Sequence, residues 1–201
     1  MMKNWFLGRL PEWFIQWVVL AGSWFTFFGG VWLAAHRFPG EYDWRYMVVS
    51  RLLSGDRNPH GYWVIALGTS LSGIMQIPLA GFLYEGLRGT SLWGARLGWI
   101  FMVLGLGAMI LMGITPYHLS FFPRAHDVLA LAAFVGLVFS VVVNTGLVVW
   151  QGPCRAASKD STICWGSISL MVLTLIPIVG ASLSQLYLYL FARGLGWVTL
   201  A

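Results

Sequence analysis

Short charged clusters along this chain are separated by long runs with no formal charge. Glu12 to Arg37, Arg57 to Glu85, Arg96 to Arg124, Asp127 to Arg155 and Asp160 to Arg193 each bound one such run. Every run is mostly apolar and long enough for the roughly 20-residue helix that crosses a bilayer. The pattern predicts an all-α, polytopic membrane protein, a helical bundle of five transmembrane helices in one transmembrane domain over 1–201. The spans fall at about 13–35, 62–84, 97–114, 128–150 and 163–188.

The last run is awkward. Its 32 uncharged residues would form a helix of about 48 Å at 1.5 Å per residue, too long for one straight crossing and too short for two with a turn. Pro177 and Gly180 offer a place to bend, so an incomplete sixth span is the alternative to five. Between spans one and two, residues 42–53 put Trp44, Met47, Val48 and Leu52 on one helical face with Arg45 and Arg51 elsewhere, which predicts a short helix lying on the membrane surface.

Composition agrees with the pattern. The chain is 58% hydrophobic and 9% charged, with a mean hydropathy of +0.75, so 201 residues leave no room for a soluble domain. The net charge of +5 comes from basic residues scattered singly at span edges, which suits lipid headgroups and argues against nucleic acid. The first run exceeds a signal-peptide core and is followed by no small-residue cleavage pattern, so it reads as a retained anchor.

Basic residues divide evenly between the two faces. Lys3, Arg9, Arg88, Arg96, Arg155 and Lys159 lie on the N-terminal side, and Arg37, Arg45, Arg51, Arg57, Arg124 and Arg193 on the other. The second set is concentrated in one long loop with Glu41, Asp43 and Asp56, whereas the first occupies a tail and short loops, where the positive-inside bias is strongest. A cytoplasmic N-terminus is therefore expected, in what is expected to be a bacterial inner membrane. Cys154 and Cys164 then face a reducing compartment, and no Cys-x-x-Cys pattern gives them a metal role.

Two spans carry stripes of small and polar residues. Gly68, Ser72, Gln76, Ala80 and Tyr84 recur every four residues in span two, and Ala132, Gly136, Ser140 and Asn144 in span four. Small residues let helices approach closely in lipid, so the two stripes are expected to face each other, with Gln76 within reach of Ser140 or Asn144.

Because each span reverses the side, His36, His60, His118 and His126 all share the face opposite the N-terminus. With Asp56 and Asp127 they could hold zinc, His60 and His126 are the candidates for haem ligation, and Arg51, Arg57 and Arg124 suit a lipid phosphate or a partner's carboxylates. The histidines sit at span ends in spacings unlike those of zinc sites or inward-facing haem pairs, so neither a metal nor another cofactor is expected. No Gly-x-Ser-x-Gly nucleophile, phosphate loop or Gly-x-Gly-x-x-Gly fingerprint occurs, and no residue is nominated as catalytic. Span one adds an aromatic face, Trp13, Trp17, Trp24 and Trp32 joined by Phe28. Trp13 and Trp32 fit the interfacial belts, whereas Trp24 belongs at mid-membrane, where it is expected to meet lipid, a partner or a bound group.

Ser50-Arg51 to Asn58-Pro59-His60-Gly61-Tyr62 ahead of span two, then Gly113-Ile114, and His126 with Ala132-Ala133-Phe134 in span four, resemble the uncharacterised six-span bacterial membrane proteins of domain-of-unknown-function family 998. These are similar in layout to the DRAM and Sfk-type proteins of eukaryotes. The resemblance covers roughly 14–190 and implies a helical bundle with an external first loop and an association with membrane lipids rather than a catalytic activity. His126 and the Asn58-Pro59 pair are the family-like positions. The expected function is that of a non-catalytic accessory or scaffold subunit in a larger membrane complex, with membrane lipids and other membrane-protein subunits as partners. A lipid-binding or lipid-handling protein is the alternative, and a haem- or metal-binding redox protein the third reading.

Overall fold

The computed structural model describes residues 5, 8–45, 47, 49–115 and 125–155, the side chains of 152–155 excepted. Among these the fold is all-α, with no strand. Four helices are long and apolar enough to cross a membrane: Glu12–His36, Tyr62–Leu87, Leu92–Ile114 and Ala125–Gln151, the last continuing to Arg155. They are α1 to α4 and correspond to the first four expected spans of a membrane-embedded protein. The fifth expected span, 163–188, lies outside the described residues. The chain, read from sequence as one transmembrane domain, divides into two compact units, Met1–Leu147 and Val148–Ala201. The helix seams and the loop between α1 and α2 belong to the first.

Helix ends extend past the charges that mark them in the sequence. Arg96 lies inside α3 rather than before it, with its guanidinium 5.4 Å from the Trp93 ring, and Glu85 lies inside α2, paired with Arg88 at 2.9 Å. Long basic side chains reach the interface while their backbone stays helical, so the uncharged runs understate helix length. Helix α3 starts where Ser91 accepts a hydrogen bond from the Gly94 N–H at 3.2 Å, satisfying one of the first-turn donors.

Helix α1 is not uniform. A π-helical stretch, Ile15–Leu20, interrupts it, burying Ile15 and Val19. Below it the N-terminal segment folds against α2. Gly8 has φ +64° and lies against Gly81, Phe82 and the Pro78 carbonyl, a conformation and an approach that only glycine accommodates. Arg9 reaches Glu85 at 3.9 Å beside this contact.

The helix pairs are built on small residues. In α1 and α2, a Cβ on Gly30 would sit 3.3 Å from the Gly68 Cα, and a Cβ on Gly68 would sit 2.5 Å from the Thr26 carbonyl oxygen. Between α2 and α3, Ser70 Oγ donates to the Ile110 carbonyl at 3.2 Å, and Gly73 faces Ile110. Between α3 and α4, a Cβ on Gly136 would lie 2.8 Å from Gly105 Cα, Gly105 N and the Phe101 oxygen. Ser140 Oγ donates across the same seam to the Gly98 carbonyl at 2.9 Å. Backbones this close gain dispersion contacts that lipid tails cannot match.

These contacts correct the expected pairing of spans two and four. Gly68 packs on Thr26 and Gly30 of α1, Ala80 lower on the same stripe packs with Met102 and Leu106 of α3, and Gly136, Ser140 and Asn144 serve α3. The amides expected to bond across helices bond within them instead, Gln76 Nε2 to Ser72 Oγ at 3.3 Å and Asn144 Nδ2 to Ser140 Oγ at 3.1 Å. Short connections put sequential helices side by side, and α1 and α3 both carry small-residue faces that complement their neighbours.

The surface helix expected over 42–53 is also corrected. Among the described residues of this stretch the only helical turn is the 3-10 segment Val49–Leu53. Asp43 Oδ1 accepts the Arg45 N–H at 2.8 Å, a local bond that diverts the backbone from a helix. Nor does the segment lie on the surface throughout, since Tyr42, Leu52 and Leu53 are buried with Val31, Ala34, Ile65 and Ala66 of α1 and α2.

Candidate functional site

The loop joining α1 to α2 is organised by one side chain. Asn58 is fully buried, and its Nδ2 donates to the Ala34 carbonyl at 3.1 Å and to the Leu52 carbonyl at 3.2 Å. Ala34 is in the last turn of α1, where carbonyls have no helical donor, so the amide closes the helix end and fastens the 3-10 turn to it. The Asn58 backbone carbonyl in turn accepts the N–H of Tyr62 at 2.9 Å, and its own N–H donates to Ser54 at 2.8 Å. Gly61 packs directly on this amide, where a Cβ would lie 2.6 Å from Nδ2 and 2.8 Å from the Ala34 oxygen. Asn58 thus joins both helix ends and the turn between them.

Tyr42 completes the cover. Its hydroxyl donates to the Met47 carbonyl at 3.0 Å, and burial pushes its phenol above the ordinary tyrosine range, with Arg51 opposing the shift. The nearby guanidinium favours the phenolate but does not outweigh desolvation.

The nominated polar residues of this face do not share one environment. Of the two histidines named as candidates should haem be bound, His60 is exposed in the turn before α2, whereas His126 is buried in the first turn of α4. His36 is exposed and stacks on Trp32 at 4.9 Å. Arg57 is exposed and Arg51 half-buried. His118 and Arg124 lie outside the described residues. Among the described residues, no three His, Cys, Asp or Glu side chains converge as a metal site would require.

The tryptophans of α1 do share an environment. Trp13, Trp17, Trp24 and Trp32 are all exposed, as are Phe25 and Phe28. Trp24 and Phe28 contact each other at 4.8 Å between ring centroids. Together with Phe25 they wall an open groove floored by Ala21 and Gly29. Elsewhere, just past the end of α1, Arg37 lies 5.3 Å from the Trp63 ring of α2, a cation–aromatic pair at the level where guanidinium and indole suit headgroups.

Three features of the structure have no clear signal in the sequence. One is the α3 stripe Gly98, Met102, Gly105, visible at helical spacing but hidden in a span whose glycines are numerous. Another is the Gly22, Thr26, Gly30 stripe of α1, overshadowed by the tryptophans beside it. The last is the burial of Asn58, for which its place ahead of Pro59 signals only a turn. No family model, curated protein or solved structure matches the chain.

Proposed function

We propose that the chain is a non-catalytic integral membrane protein serving as an accessory subunit of a larger membrane assembly, joined through the aromatic face of α1. The observation that carries this reading is the doubled small-residue pattern of that helix. Gly30 and Thr26 hold α1 against Gly68 of α2, while one step around the helix Ala21 and Gly29 floor a groove with nothing within 4 Å of the Gly29 Cβ position. Small residues gain little from fluid acyl chains but allow a second helix to approach closely. Trp24, at the middle of the span, adds an indole N–H that hydrocarbon cannot satisfy and a partner carbonyl or hydroxyl can.

A photo-crosslinking residue placed at Phe25 in native membranes is the test. The expected outcome is a protein adduct of one mass that disappears in Gly29→Leu, while the variant still purifies monodisperse. Lipid adducts alone, or a protein adduct insensitive to Gly29→Leu, would refute the subunit contact. The same reaction from Leu104 of α3, which is likewise exposed, is the control.

The proposal includes an inner-membrane location with a cytoplasmic N-terminus, an orientation supported by Lys3 and Arg9 in the tail, Arg88 at the end of α2 and Arg96 in the first turns of α3. An impermeant thiol reagent applied to intact cells is then expected to spare Cys154 and Cys164 until the membrane is opened. Labelling in intact cells would invert the topology.

A further inference from the structure

The outward face of α2 combines a fixed cation with an apolar track of defined length. Trp63, Leu67, Leu71 and Ile74 recur at helical spacing and are all exposed, between 44% and 54%. Eleven residues separate the first from the last, about 16 Å at 1.5 Å per residue, which is roughly one leaflet of a 30 Å hydrocarbon core. Above the track stands Arg37, held 5.3 Å from the Trp63 ring. Its position just past the end of α1, where the helix dipole presents partial negative charge, further favours a guanidinium there. Among the described residues the ion pairs engage Arg9 and Arg88 with Glu85, and no carboxylate pairs with Arg37.

Below the track the same azimuth of α2 continues through Pro78 and Gly81, but there it is covered. Gly8 of the N-terminal segment lies directly on these residues, and Pro78 is fully buried. The exposed stripe therefore has a charged head, a wall one leaflet long and a closed foot.

We propose that this face seats one phospholipid with an anionic headgroup. The Arg37 guanidinium takes the phosphate through its planar fork, a match that an ammonium would not make. Trp63 fixes that guanidinium and flanks the glycerol region, and Leu67, Leu71 and Ile74 align an acyl chain that ends on the Gly8 shelf. A zwitterionic headgroup fits less well because its own cation would lie beside Arg37. The site is separate from the α1 groove, so it stands or falls independently of the subunit contact.

The test uses the full chain in mild detergent, with dioleoyl phosphatidylglycerol and dioleoyl phosphatidylcholine as probes and native mass spectrometry to count bound lipid. One phosphatidylglycerol is expected to be retained in preference to phosphatidylcholine, and Arg37→Gln to weaken it about fivefold, the factor for one surface cation near an anionic lipid. Arg96→Gln, at the opposite helix end, is expected to leave it unchanged. Leu71→Asn is expected to weaken the dioleoyl lipid but not the dihexanoyl form, which cannot reach that depth, and this comparison stands even if Arg37→Gln does not fold. Equal binding of the two headgroups, full retention in Arg37→Gln, stabilisation by inorganic phosphate alone, or a lipid-free dimer in place of the lipid adduct would each overturn the proposal.

Discussion

Gly136→Leu is expected to dislodge α4 from α3 and to lower the thermal-unfolding midpoint of the detergent-solubilised protein. The first added carbon would lie 2.8 Å from Gly105 Cα, Gly105 N and the Phe101 oxygen. These are backbone atoms, which cannot rotate away as a side chain can. Overpacking of this kind costs about 1–3 kcal/mol. Here the cost extends to the neighbouring bond, because separating the helices also draws Ser140 Oγ away from the Gly98 carbonyl, leaving polar groups without partners in hydrocarbon. Gly107 and Gly146 are the controls, since nothing lies within 4 Å of either Cβ position. Alanine at those sites is expected to be neutral or slightly stabilising, as helical Gly→Ala changes commonly gain about 0.5–1 kcal/mol. A Gly136→Leu midpoint equal to that of Gly107→Ala would show that the α3–α4 seam is not packed as described.

The four helices were legible because the bilayer imposes a length and a polarity that few charged residues can disguise. Their partners were less legible. A stripe such as Gly68, Ser72 and Gln76 announces that a helix will approach, but every small-residue stripe carries the same announcement. Span two has such stripes on two faces, one used by Gly30 and Thr26 of α1 and the other by Ile110 and Gly113 of α3. Periodicity cannot assign them, whereas chain connectivity favours sequential neighbours. Amide side chains misled for a related reason. Gln76 and Asn144 can satisfy one donor on a hydroxyl four residues earlier in their own helix, so a polar residue at mid-membrane need not imply a crosslink. The loop was the least legible segment, because its order depends on the Asn58 amide reaching a carbonyl 24 residues away, a distance no local pattern encodes.

That amide supplies the sharpest test of the loop. Asn58→Asp preserves shape and volume but removes the two donors. In place of an N–H between the carbonyls of Ala34 and Leu52, which lie 3.1 and 3.2 Å from Nδ2, it sets a carboxylate oxygen that repels both. Three acceptors would then converge in a fully buried position, or the carboxyl would have to take up a proton and satisfy only one of them. Leaving a buried polar group unsatisfied costs about 1–3 kcal/mol, and two carbonyls are affected. Asn58→Asp is therefore expected to destabilise more than Asn58→Ala, although alanine removes more atoms. A packing role alone predicts the reverse order, since alanine leaves the larger cavity. The readouts are the thermal midpoint and the rate of limited proteolysis between residues 37 and 57, which rises as the turn is released from α1. If Asn58→Asp is the milder substitution by both measures, the amide fills space, and the junction of α1 and α2 must be held by the buried Tyr42, Leu52 and Leu53 instead.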